Sequence, residues 1–103
     1  MNTKKIEAVV ATSDIEAVED ALEALGVDSL SISSIVSRSP ADILYYRGAA
    51  YRAESHRLKV ECLVTDQLVA SAIETITKAA SPSPAAGRIC VFDVSDVSLL
   101  RTW

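Results

Sequence analysis

The sequence predicts one α+β domain, a four-stranded antiparallel sheet with two helices packed on one face in the order βαββαβ. A strand–helix–strand pattern appears once before residue 37 and again after residue 56. The chain has 103 residues, which is one domain's worth, burying about 65% of its unfolded surface. Each helical stretch carries an apolar stripe wide enough to cover one sheet face and no more.

Lys5 to Ala11 alternates as a first strand, with Ile6, Ala8 and Val10 on one face and Glu7 and Val9 on the other. A helix is predicted next: Ser13 and Glu16 form a capping box, Ile15, Val18, Leu22 and Leu25 recur at helical spacing, and Gly26 ends it. Leu30, Ile32 and Val36 mark a second, serine-rich strand. In the second half Leu58, Val60, Cys62 and Val64 alternate with Lys59 and Glu61. Thr65 is expected to cap a helix whose buried stripe is Leu68, Val69, Ala72, Ile73, Ile76 and Ala80. Ser81-Pro82-Ser83-Pro84 stops that helix, and a fourth strand runs from Arg88 to Phe92, before a tail from Asp93 to Trp103. Two such halves in this length most economically make a ferredoxin-like sandwich. Its open sheet face is expected to carry Ala8, Val10 or their neighbours and to be covered by further copies of the chain.

Composition excludes several classes. Half the residues are hydrophobic and the net charge is −4, so disorder and general nucleic-acid attraction are both disfavoured. No apolar run approaches the roughly 20 residues of a membrane span, and no signal peptide is visible, which predicts a cytoplasmic protein. Cys62 and Cys90 lack metal or redox spacing and are expected as small buried hydrophobes. His56, the single histidine, has no catalytic partner at motif spacing and is expected in a loop.

All three tyrosines fall at Tyr45, Tyr46 and Tyr51, in a segment expected to be a long exposed loop over about 37–56. The hexapeptide Tyr46-Arg47-Gly48-Ala49-Ala50-Tyr51 resembles the tip of the T-loop of PII signal-transduction proteins, Tyr-Arg-Gly-Ala-acid-Tyr. Lys4-Lys5-Ile6-Glu7-Ala8, Leu58-Lys59-Val60-Glu61, Arg88-Ile89-Cys90-Val91-Phe92 and Arg101-Thr102 resemble further family segments in the same order. The resemblance spans nearly the whole chain. It implies a PII-like homotrimer, a single domain over 1–103 with a T-loop at about 37–56, a B-loop at about 81–88 and a short C-terminal tail at 99–103. It also implies clefts between subunits that bind ATP, ADP or AMP, and T-loops that dock onto a membrane transporter or metabolic enzyme. No reaction is catalysed, and no nucleic acid is bound.

On that resemblance the nucleotide-binding residues are Ser31, Ser37, Arg38, Glu61, Leu63, Gly87, Arg88 and Arg101, and the partner-binding residues Tyr46, Arg47 and Tyr51. The departures matter as much. The family's B-loop, Thr-Gly-x-x-Gly-Asp-Gly-Lys, is here Ser81-Pro82-Ser83-Pro84-Ala85-Ala86-Gly87-Arg88, so fewer backbone donors close on phosphate and ADP or AMP is favoured over ATP. A family C-loop arginine is Leu99. Ser39 stands where the family has the glutamine that helps hold the magnesium through which 2-oxoglutarate binds, and the family's lysine for that acid is Arg57. These changes resemble the divergent carboxysome-associated, bicarbonate-linked members. The alternatives are a nitrogen-regulatory PII protein sensing ATP and 2-oxoglutarate, and a constitutive trimeric interaction module with a decayed nucleotide site.

Overall fold

The computed structural model describes residues 2–27, 29–81, 87–98 and 100, with only the backbone described for 37–44 and 51–55. Strand β1 (Thr3–Ala11) leads through a 3₁₀ turn (Thr12–Asp14) into helix α1 (Ile15–Leu25). Strands β2 (Leu30–Tyr46) and β3 (Ala49–Thr65) follow as a hairpin, then a second 3₁₀ turn (Asp66–Leu68), helix α2 (Val69–Ala79) and strand β4 (Arg88–Val94). The sheet order is β2-β3-β1-β4, with every neighbouring pair antiparallel. This is the expected ferredoxin-like arrangement.

The alternation of β1 and β3 builds the core. Ile6, Ala8 and Val10 of β1 and Val60, Cys62 and Val64 of β3 face the helices, where Val18, Leu22, Ala72 and Ile76 close over them. The predicted helical stripes are therefore the packed ones, although Ile73 is only half-buried. Ala8 and Val10 belong to this covered face, so of the residues expected on the open face only their neighbours lie there: the period of two assigns Lys5, Glu7 and Val9 to it.

Gly26 ends α1 as predicted. At φ 100° it is in the left-handed region, and the amides of Gly26 and Val27 donate to the carbonyls of Glu23 and Leu22, each at 3.0 Å. This is the Schellman pattern, and buried Val27 completes it against the core that contains Leu22. The helix starts differ from expectation. Neither Ser13 nor Thr65 makes a side-chain capping bond; each helix is entered through a 3₁₀ turn, with Asp14 and Leu68 immediately before the first helical residue.

The largest correction concerns 37–56. Backbone pairing continues from Leu30↔Cys62 to Tyr46↔Ala49, so the expected loop, His56 included, is the distal part of a β-hairpin. The register slips once, between Arg38 and Ile43, over a stretch containing Pro40, which has no N–H to give to a ladder. The tip is a two-residue turn with positive φ at both Arg47 (52°) and Gly48 (79°), the type I′ geometry that matches strand twist. The hairpin lengthens the molecule to 59 Å along one axis, and the radius of gyration is 16.5 Å, against roughly 13 Å for a compact chain of this size.

Cys62 is 4% exposed, and burial pushes its thiol up from the ordinary range. Cys90 is half-buried on the other face. Alkylation of the native protein at pH 8 should spare Cys62 until the chain unfolds, as mass mapping of the adducts would read; modification of Cys62 in the native state would contradict the packing.

Candidate functional site

The face not covered by helices is polar at its centre and apolar at one end. Glu7 lies opposite Glu61 across the β1–β3 ladder, a like-charge pair that would repel if left alone. Lys59 relieves it, 3.1 Å from Glu61 and 4.0 Å from Glu7, and Lys5 approaches Glu7 at 3.4 Å. These side chains are about a quarter to a third exposed, so each pair contributes about 0.2–1 kcal/mol. Lys5 also sits 4.9 Å over the Phe92 ring. In the same row, Leu63 and Phe92 leave 49% and 43% of their surface open. Val9 is 4% exposed although it belongs to this face. Its row partners are Lys59 and Arg88, long side chains whose stems cover apolar neighbours.

Where β4 begins, between that sheet edge and the C-terminal end of α2, lies a cavity of about 350 Å³ lined by Val10, Ile76, Ala80 and Ile89 from the helix-covered side together with Val9, Ser81, Gly87 and Arg88. Its lining is mostly aliphatic, with Thr77, Ser81 and Arg88 as its polar side chains. The lining Ser81 is held in turn by Asp14, 9% exposed, which accepts a 2.9 Å bond from the Ser81 amide on one carboxylate oxygen and a 2.9 Å bond from the Ser81 hydroxyl on the other. Sequence reasoning missed Asp14. An acid at the start of a helix reads as a local charge near the helix dipole, and nothing linear connects it to a serine 67 positions away.

The expected nucleotide residues fall into two groups. Ser31 pairs directly with Glu61, and Leu63 follows on the same face. Gly87 and Arg88 stand at the cavity beyond β1, both exposed. The cavity includes neither Ser31 nor Glu61, and the Lys59–Glu7 network lies between the groups. Ser37 and Arg38 are in the paired backbone of β2, opposite Ser55 and Glu54; their side chains, with those of Ser39 and Tyr51, lie outside the described residues. So do Arg101, Leu99, Trp103 and the B-loop positions Pro82 to Ala86. Tyr46 is 62% exposed beside the hairpin tip, with the Arg47 guanidinium 5.3 Å from its ring.

Among the described residues no three His, Cys, Asp or Glu side chains gather as a metal site, and no helix is long and apolar enough to cross a membrane. Fold and surface together define a ferredoxin-like module whose uncovered face leaves Leu63 and Phe92 partly exposed. The profile of the family described as "Nitrogen regulatory protein P-II" matches residues 3–103. The chain is 31% identical to the Nitrogen regulatory protein P-II of Klebsiella oxytoca, over 96% of this chain and 92% of that protein. It is 32% identical to the protein of that name from Cereibacter sphaeroides over the same shares. Among solved structures it resembles B. subtilis GlnK at a TM-score of 0.74 and 26% identity, covering 92% of this chain and 87% of that one. The B. subtilis GlnK–ATP complex superposes at 0.73 and 25% identity, over 91% and 84%. The chain belongs to the PII signal-transduction family. Proteins of this family are regulators, not enzymes.

Proposed function

We propose that the protein is a homotrimeric PII-type regulator that binds an adenine nucleotide between subunits and controls a cytoplasmic or membrane partner through its hairpin. The observation that carries this is the division of the site. Ser31, Glu61 and Leu63 lie on one side of the uncovered face and Arg88, with Gly87 just before it, on the other, and among the described residues the cavity at Arg88 does not reach the first group. A ligand pocket buries most of its ligand, and we assign the joining of the two groups to a second copy, which brings one group against its neighbour's other group. Half-exposed Leu63 and Phe92 favour such burial. Likeness to a GlnK–ATP complex supports the ligand class.

The hairpin tip is the partner surface. Tyr45 and Tyr46 expose 77% and 62% of their area and Arg47 is set by its stack on Tyr46; tyrosine and arginine are the residue types that dominate interface hot spots. Ligand occupancy acts on this surface only through a difference in affinity between hairpin arrangements.

With prolines at positions 82 and 84 and Ala86 in place of the family's acid, ADP and AMP are expected to bind more readily than ATP. Ser39 in place of glutamine favours an inorganic-carbon signal over 2-oxoglutarate. The nitrogen-sensing reading draws on the relatives' names and predicts that magnesium and 2-oxoglutarate tighten ATP binding. Light scattering should give about three times the 11.0 kDa chain mass. Adenylates should raise the melting midpoint, since a ligand bound only by the folded state stabilises it. A stable monomer would sink the assembly, and an unmoved midpoint with ATP, ADP and AMP the nucleotide reading, leaving the constitutive module. Bicarbonate added with each nucleotide tests the carbon link.

A further inference from the structure

The geometry points to Asp14 as a positioning residue for the nucleotide site: by holding Ser81 it sets one wall of the cavity whose other wall carries Gly87 and Arg88. This rests on the nucleotide reading above. The two halves of the chain supply an internal comparison. Each helix is entered through a three-residue 3₁₀ turn, and the third residue is Asp14 in one and Leu68 in the other. The turn therefore has no need of an acid. Asp14 gives no capping bond to α1, and both its oxygens are committed to Ser81.

The position of Ser81 explains what that commitment does. Helix α2 stops at Ala79, and Ala80 is already extended at ψ 145° while its amide still reaches the Ile76 carbonyl. The amide of Ser81 is the next along, and Asp14 takes it together with the hydroxyl. These two charge-assisted bonds fix the direction in which the chain leaves α2. The opposite wall is fixed independently by the sheet, where Arg88 is registered against Val9. Ser81, Gly87 and Arg88 line one cavity. A wall ordered in advance lowers the entropy lost when an anion is bound there.

The test uses the full chain, with calorimetric Kd for ADP, AMP and ATP. Asp14→Asn keeps the size and one acceptor but offers no acceptor for the second bond, and should weaken binding about tenfold with the assembly intact. Ser81→Ala should weaken it about threefold, Ser81→Thr should restore it, and Ser81→Ala should add little in the Asp14→Asn background. Val64→Ala, a core variant at the opposite end of the β1–β3 ladder from the cavity, separates stability from positioning: it should lower the melting midpoint and leave Kd unchanged. Asp14→Asn with a lowered midpoint and a Kd within twofold of wild type would overturn the proposal. Should the wild type bind no adenylate, the nucleotide reading falls by itself. Hydrogen exchange then decides the contact's role: Asp14→Asn speeding exchange at Ser81, Gly87 and Arg88 while Val91 stays protected supports a positioned wall, and unchanged exchange overturns it.

Discussion

Leu22→Ala is expected to cost about 3 kcal/mol of folding stability, within the 2–5 kcal/mol range of buried leucine truncations. Leu22 is 0% exposed and sits in the cluster with Ile6, Val18, Val60 and Ile76, so removing its side chain leaves a void that neighbouring strands and helices cannot easily fill. It has a second role. Its carbonyl accepts the Val27 amide at 3.0 Å, and the apolar contact that accompanies this helix ending needs a large side chain on the last turn. The melting midpoint should fall by more than 10 °C for a chain of this size. Leu25→Ala, on a half-buried neighbour packed at the rim of the core, should cost less than half as much. Thermal or urea unfolding at fixed protein concentration measures both. Equal effects at the two positions would mean that the core between sheet and helices is not closed at Leu22.

The parts of the fold that were legible are those where burial imposes a period. Val18 and Leu22, Ala72 and Ile76 are buried because a helix on a sheet must hide one stripe, and that requirement is written locally. Gly26 was legible because only a residue without Cβ adopts φ 100° cheaply. The hairpin was not. Ser37-Arg38-Ser39-Pro40-Ala41-Asp42 carries no alternation, since strands beyond the sheet body have no core face to bury, and the pairing rests on backbone groups that every residue shares. Its one local sign was Gly48, at φ 79°, preceded by an arginine that does not usually take a left-handed conformation. Side-chain capping at Ser13 was a local rule overridden by the 3₁₀ entry to α1.

The resemblance names Gly87 and Arg88 as expected nucleotide residues, and the structure places them on a cavity shared with Ser81. What no single chain could supply in sequence is the relation between that cavity and the Ser31–Glu61–Leu63 group. The ladder places Arg88 on the same face as Ser31, Glu61 and Leu63 and keeps it two strands away from them. The Asp14–Ser81 contact was illegible for the opposite reason, because a pairing across 67 positions has no periodic trace.

Arg88→Ala should weaken adenylate binding by on the order of 1.5–3 kcal/mol, a loss of roughly ten- to 150-fold in Kd. The family's B-loop places several donors around phosphate; here two prolines have replaced positions that could donate, which concentrates the charge compensation on fewer groups. Arg88 is exposed at the first position of β4, anchored in the backbone by pairing with Val9, so it lines the cavity from a rigid element. Truncation should leave the fold nearly unchanged, since Arg88 makes no core contact of the kind Leu22 makes. Arg88→Lys separates charge from geometry: a lysine keeps a point charge and loses the two-pronged fork, so it should recover part of the affinity for ADP and less of it for ATP. The penalty for Arg88→Ala should also grow from AMP to ATP as the ligand's charge increases. A penalty equal for all three nucleotides would place Arg88 away from the phosphates, and unchanged affinity with a retained assembly would remove the B-loop from the nucleotide site altogether.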